Sequence, residues 1–397
     1  MNPTTKSDVK ASQDSEYQRW RGPLEGILGI PFSAGNRVDV LHNGDEIFPA
    51  MLEAITQARE RIDFLTFVYW SGAIAQRFAQ TLADKAADGV VVNVLLDSFG
   101  AKKMSEEQVD LMRSAGVNVQ WFRPLAKWRL WQTDNRTHRK VLIVDGKLGF
   151  TGGVGIAAEW EGDARNPTEW RDTHFRIQGP AVYALQGAFL GNWAETGQPV
   201  HKAGDTTRML EPQGDVWIQL IRTTASIGWS DIATLLRVLI VEARHHIRIT
   251  TAYFVPDEDT LLVLCAAAAR GVTVEVMMPG PHSDARISQL AGEDEFRQLL
   301  DAGVRLWSYQ RTMLHTKVIT VDGLLACVGS ANFNQRSMRK DDEISVVMLS
   351  REITALLDRH FMEDQTACEP IRPEDWQKRG WIQRALESVS KLIKSQV

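Results

Sequence analysis

Short runs of Val, Ile and Leu, each bounded by Gly or Asp, alternate along the chain with longer stretches rich in Ala, Leu and Arg. Apolar runs of that length suit buried strands, and the stretches between them suit covering helices, so the pattern predicts an α/β fold. The pattern also repeats. ARERI at Ala58–Ile62 leads into the strand-like DFLTFVYW, and ARHHI at Ala243–Ile247 leads into RITTAYFV. Gly89 precedes VVVNVLLD, as Gly271 precedes VTVEVMMP, and AGVNVQWF from Ala115 answers AGVRLWSY from Ala302. Each half then reaches a strand that ends in Asp-Gly, KVLIVDG at Lys140–Gly146 and KVITVDG at Lys317–Gly323, with offsets between matched segments of 177 to 187 residues.

Offsets that vary so little mark loop insertions on a shared framework. They place one unit at 37–200 and a second at 212–366. A polar Gly/Pro-containing linker at 201–211 joins them, a polar arm at 1–36 precedes them, and a C-terminal amphipathic helix at 367–397 follows.

Composition narrows the function classes. With 44% hydrophobic and 24% charged residues, the chain of 397 residues can bury a sizeable core. Its net charge of −5 weighs against a dedicated nucleic-acid binder. Cys265, Cys327 and Cys368 show no disulfide or metal-like spacing and read as free thiols. The polar start lacks a secretory signal pattern, so export is not expected, and the longest apolar stretch, near Leu261–Ala269, is too short to cross a bilayer.

The repeated strand carries the chemistry. His138-Arg139-Lys140 and His315-Thr316-Lys317 stand immediately before the two Asp-Gly strands, with four residues between each Lys and Asp145 or Asp322. Along extended chain, side chains two apart share a face, so each His and Lys project together. One such pair would be unremarkable; two with the same spacing in a duplicated framework point to a site. A neutral imidazole can attack phosphorus while a protonated one gives a proton to the departing alcohol, and two ammonium groups can hold the non-bridging oxygens. Small residues follow each strand, Gly152-Gly153-Val154-Gly155 and Gly329-Ser330-Ala331-Asn332, where backbone can approach an anion closely.

This arrangement resembles the phospholipase D superfamily, whose H-x-K-x4-D-x6-G-S-x-N motif the second copy matches at every fixed position from His315 to Asn332. The first copy matches at His138, Lys140, Asp145 and Gly152 but carries Gly153 for Ser and Gly155 for Asn. The resemblance implies two tandem lobes, each a mixed β-sheet flanked by helices, with one active site at their interface. It further implies a phosphohistidine mechanism with neither cofactor nor metal, His138 as nucleophile and His315 as acid and base. Lys140, Lys317, Ser330 and Asn332 are the implied phosphate ligands, and Asp172 and Glu343, by position, the carboxylates that orient the histidine of their own motif. Asp145 and Asp322 belong to the motif too, although Asp before Gly is an ordinary turn residue better suited to loop support than to proton transfer. His245, His246 and His360 are expected on helix surfaces.

Within the superfamily, TGGVGIAAEW followed by EWRDTHFRIQGPAV resembles bacterial cardiolipin synthases of the phospholipase D type that lack N-terminal transmembrane helices. That resemblance implies transfer of a phosphatidyl group between phosphatidylglycerol molecules by a cytoplasmic protein held peripherally on the inner membrane. Two stretches fit membrane docking: Trp121, Trp128 and Trp131 interleaved with Arg123, Lys127 and Arg129, and a C-terminal face that includes Trp381 and Ile382 beside basic residues. A phosphodiesterase acting on phospholipid or nucleic acid is the alternative, and oligomeric state cannot be read from the sequence.

Overall fold

The computed structural model describes residues 6–124, 135–200, 210–224, 230–284 and 296–372. Seven strands come from the first half: β1 (Ser33–His42), β2 (Arg61–Thr66), β3 (Val91–Asp97), β4 (Asn118–Phe122), β5 (Val141–Val144), β6 (Leu148–Gly152) and β7 (Thr173–Gln178). They lie side by side as β1-β7-β6-β5-β2-β3-β4. From the second half come β8 (Val216–Thr223), β9 (His246–Thr250), β10 (Phe254–Val255), β11 (Thr273–Pro279), β12 (Arg305–Tyr309), β13 (Val318–Val321), β14 (Leu325–Gly329), β15 (Phe333–Asn334), β16 (Glu343–Leu349) and β17 (Cys368–Pro370). All but β10 and β15, which pair with each other, follow the same path as β8-β16-β14-β13-β9-β11-β12, with β17 added at the edge.

Antiparallel pairing of β1 with β8 joins the halves into one mixed sheet. The apolar core is continuous across that seam, where Phe175 and Ile177 of the first half pack with Ile218, Leu220, Ile344 and Val346 of the second. Helices cover the sheet as the periodicity predicts. On Ala73–Ala87, Ile74, Ala75, Phe78, Ala79 and Leu82 form one buried stripe. The Gly-Val pairs that open the buried strands have a physical cause. Gly89 (φ 90°) and Gly271 (φ 89°) take the left-handed conformation just past a helix, and the N–H groups of Val90 and Val272 close back on Lys85 and Ala267 carbonyls.

Three segments depart from the sequence-based expectation. Residues before 37 are no polar arm: a helix spans Lys6–Leu28, and Trp20, Leu24, Leu28 and Phe32 pack into the core of the second half. Their four-residue spacing is helical, but it is thinly spread among polar neighbours. Strand β1 begins at Ser33, ahead of the expected boundary, and the C-terminal segment starts with β17 rather than with helix. Trp128, Trp131, Trp381, Ile382 and most of the linker lie outside the described residues.

Candidate active site

Backbone of one half holds the histidine of the other. The first His/Lys pair lies just before β5 and the second just before β13. His138 N–H donates to the Asp342 carbonyl (2.9 Å) and His315 N–H to the Arg171 carbonyl (2.8 Å), so each motif is strapped by the chain segment entering the facing half's last shared strand. The residues between are tied down by buried charge. Arg139 donates to the carbonyls of Ala188, Thr223 and Glu343, and Arg136 forks onto the buried Asp97 carboxylate at 3.1 Å. Arg171 pairs with Asp364 at 2.9 Å and also reaches the Thr316 hydroxyl. Removing any such buried partner would leave an uncompensated charge, which fixes the loops in place.

The strapping decides which carboxylate meets which imidazole. His138 Nδ1 lies 3.0 and 3.1 Å from the Glu343 oxygens, and His315 Nδ1 lies 2.7 Å from Asp172 Oδ2. Both contacts cross between halves, so the expectation that each carboxylate orients the histidine of its own motif is corrected: the partners are exchanged. A carboxylate at Nδ1 fixes the tautomer with the proton on that nitrogen and leaves Nε2 facing the site. Lys140 Nζ donates to the His138 carbonyl, and Lys317 Nζ lies 3.0 and 3.2 Å from the two ring nitrogens of His315.

Burial sets the electrostatics. It lowers both imidazoles, His315 to about 3, with Lys317 adding to that effect. It also lowers Lys140 to about 7 and Lys317 to about 8, each partly restored by the facing carboxylates. Burial alone would raise Glu343, but His138, Lys140 and the Ser330 hydroxyl outweigh it and hold the carboxyl at about 2. Asp172 is likewise below its ordinary value, burial being overcome by His315 and Lys317. The site thus holds two anionic carboxylates, two neutral imidazoles and two lysines that an arriving anion would drive fully to the charged form.

The motif's departures shape the walls. Ser330 donates to Glu343 and accepts the Ile344 N–H, and Asn332, almost fully buried, leaves Oδ1 without a partner among the described residues. In the first half a Cβ on Gly155 would lie 2.6 Å from Val68 Cβ, so this backbone passes where a side chain has no room. Aromatic rings replace the missing groups: Phe67 stands edge-on to His138 at 5.0 Å, and Trp160 and Trp170 lie 5.2 and 5.5 Å from His315.

Asp145 and Asp322 are removed from the chemistry. Each closes a hairpin with φ 51° ahead of a glycine at φ 63°, and each caps three consecutive backbone N–H groups, Arg59–Arg61 and Arg244–His246 respectively. They stand at the opposite end of β5 and β13 from the His/Lys pairs, about 16 Å of extended chain away. Asp322 also pairs with Arg19 at 2.8 Å. His245 lies in a turn and His246 opens β9, neither on a helix, whereas His360 sits on the helix Arg351–Gln365 with its ring 4.5 Å from that of His42. Trp121, expected at a membrane, is half-buried in β4 against the first core. Sequence reasoning missed Trp160, Trp170, Phe67, Asp97, Arg136, Arg139 and Arg171. Arg139 had a signal in its place between His and Lys, and Trp160, Trp170 and Arg171 in the two stretches that carry the family resemblance, which gave no role for them.

The model of the family described as "Cardiolipin synthase, PLD-like domain" matches residues 51–159 and 236–365. Cardiolipin synthase 1 of Bacillus cereus is 33% identical over 379 residues, covering 93% of this chain and 74% of that protein. Cardiolipin synthase of Geobacillus thermodenitrificans is 35% identical over 370 residues, covering 91% and 73%. Among solved structures, phosphatidylserine synthase of Haemophilus influenzae superposes with a TM-score of 0.72 at 13% identity, over 96% of this chain and all of that one, which shows a shared fold. With both motifs on one duplicated sheet and the match extending over more than half its length, the chain belongs to the PLD-like cardiolipin synthase family.

Proposed function

We propose that the protein is a phosphatidyltransferase that makes cardiolipin from two phosphatidylglycerol molecules. The observation that carries this reading is the convergence of two His–carboxylate pairs and two lysines from both halves, in a chain whose relatives bear the name cardiolipin synthase.

In this reading His138 is the nucleophile. Glu343 holds its proton on Nδ1, and among the described residues no hydrogen bond occupies Nε2, whereas Lys317 lies against both ring nitrogens of His315. His138 Nε2 attacks the phosphorus of the first lipid, a P–N bond forms, and the P–O bond to the headgroup glycerol breaks. His315, protonated once the bound phosphate brings its negative charge beside it, gives its proton to the departing glycerol oxygen. The headgroup hydroxyl of the second lipid then loses its proton to His315 and attacks phosphorus, releasing His138 and cardiolipin. Lys140, Lys317 and the Asn332 amide hold the non-bridging oxygens through both steps, which supplies the positive charge a metal would otherwise bring. Asp172 and Glu343 keep the imidazoles oriented and stabilise their charged forms.

The lipid is proposed to enter from the inner membrane's surface, with the protein bound peripherally. Among the described residues no helix is long and apolar enough to cross a membrane. The loop after β3 supports surface binding: Phe99 is 49% exposed with Lys102 over its ring, Lys103 lies over Trp70, and the adjoining Gly100 packs on Phe67, the ring beside His138. The segments holding Trp128, Trp131, Trp381 and Ile382 are proposed to add to this contact.

Incubating the purified protein with labelled phosphatidylglycerol vesicles in chelator tests the proposal. Cardiolipin and free glycerol from the native protein, absent in His138→Ala and His315→Ala, support it. Phosphatidic acid as sole product would make it a hydrolase, and absence of any lipid product would remove the substrate assignment.

A further inference from the structure

The two halves solve the same problem, fixing the carboxylate behind each catalytic histidine, with different donors. In the second half the Ile344 N–H donates to Ser330 Oγ, and Ser330 donates in turn to Glu343, which faces His138. In the first half the position of Ser330 is held by Gly153. There the Thr173 N–H, counterpart of Ile344, donates directly to Asp172 Oδ1 at 2.8 Å. Aspartate is one methylene shorter than glutamate, so its carboxylate lies nearer its own strand. A Cβ on Gly153 would fall 2.3 Å from Asp172 Oδ1 and 2.6 Å from Oδ2. The carboxylate therefore occupies the volume a serine would need.

The donor that Gly153 cannot supply comes from Trp160. Its indole Nε1 donates to Asp172 Oδ2 at 3.0 Å, the same oxygen that accepts from His315 Nδ1 at 2.7 Å. Trp160 is 2% exposed, held on the short 3₁₀ turn Ala158–Trp160, and its ring meets His315 edge-to-face at 5.2 Å and 82°. Trp170, packed 4.6 Å from Trp160, closes the other side. An indole N–H can only donate, so this contact cannot reverse its polarity as a hydroxyl can.

We propose that Trp160 is a positioning residue that replaces the missing motif serine of the first half, orienting Asp172 and through it His315, so that Gly153 and Trp160 function as a linked pair. This rests on the acid–base role proposed for His315. Loss of the indole donor removes a positive dipole from beside the pair, which leaves Asp172 more basic and makes the imidazolium form of His315 easier to reach.

Trp160→Phe keeps an aromatic ring in place and removes the donor together with part of the indole's packing, so the histidine titrations, and not stability or turnover alone, carry the test. The expected outcome is a roughly tenfold fall in kcat with KM near native, and a shift of the acidic limb of the rate profile to higher pH. Gly153→Ser alone should lower activity by displacing Asp172. In the Trp160→Phe background its further cost should be smaller, because the carboxylate is already released from the indole and has more room to shift. Nitrogen NMR of labelled histidines supplies a reading without turnover: the His315 titration moves upward in Trp160→Phe while His138 stays, and Ser330→Ala moves His138 and leaves His315. Native kcat in Trp160→Phe, or a loss of activity with both histidine titrations unmoved, would overturn the proposal, as would Gly153→Ser costing the same factor in both backgrounds. If the His315 titration moves although the native protein makes no cardiolipin, the positioning role stands and the substrate reading falls.

Discussion

Replacing Glu343 by Gln separates the exchanged pairing from the one that chain order implies. Glu343 is wholly buried and accepts from His138 and Ser330; glutamine keeps its size and loses its charge. Holding the carboxyl at about 2 rather than 4.5 corresponds to about 3 kcal/mol in favour of the charged form. That agrees with the roughly 3–5 kcal/mol lost when one partner of a buried ion pair is removed. For a chain of 397 residues the unfolding entropy is on the order of 0.8 kcal/mol/K, so Tm should fall by about 4 °C at pH 7. Because the folded value lies below the unfolded one, this stabilisation is complete above 4.5 and is lost as pH falls toward about 2. The gap between native and variant should therefore narrow in acid. Calorimetry on double-mutant cycles gives the decisive number. Glu343→Gln should couple to His138→Ala by about 1–3 kcal/mol and to His315→Ala by less than about 0.5, with Asp172→Asn showing the opposite preference. Coupling of Glu343 to His315 instead would refute the exchanged arrangement.

Other outcomes follow from the same geometry. With Lys140 near 7 and Lys317 near 8 in the empty site, kcat/KM should decline as pH rises through that range while kcat, which reports the anion-loaded site, holds to higher pH; a joint decline would contradict this account of the lysines. Asp145→Ala should lower stability by about 1–3 kcal/mol through three uncapped N–H groups and leave kcat per folded molecule unchanged, so calorimetry and active-site-normalised turnover should part company. Phe99→Ser with Lys102→Glu should weaken sedimentation with anionic vesicles severalfold, leave Tm near native, and matter less at high salt; unaltered vesicle binding would remove that loop from the proposed membrane surface.

Much of the scaffold could be read because duplication lays out the same signals twice. The Gly-Val helix ends, the apolar strands and the Asp-Gly hairpins are local, and each is decided by a few neighbouring residues. The exchange of Asp172 and Glu343 is not local. It depends on Asp342 and Arg171 carbonyls strapping loops 204 and 144 residues distant in the chain, and spacing to a motif records only order. Trp160 was hidden for a related reason: nothing in AEW distinguishes an indole that packs from one that donates to a carboxylate. Asp145 and Asp322 mislead in the other direction, since their fixed place in the motif reflects the hairpin that aligns β5 and β13 and not contact with the reacting atoms. The helix Lys6–Leu28 was obscured by its polar composition, which masked the widely spaced Trp20, Leu24 and Leu28 that anchor it.

The central claim is one covalent site assembled from both halves. Quenching of the protein reacting with phosphatidylglycerol carrying labelled phosphorus in denaturant at neutral to mildly alkaline pH, followed by peptide mapping under conditions that preserve P–N bonds, tests it most directly. Label on the peptide holding His138, lost in His138→Ala and in Glu343→Gln, is the predicted result. Label on the His315 peptide alone, or turnover to cardiolipin with no labelled histidine at any time, would contradict it.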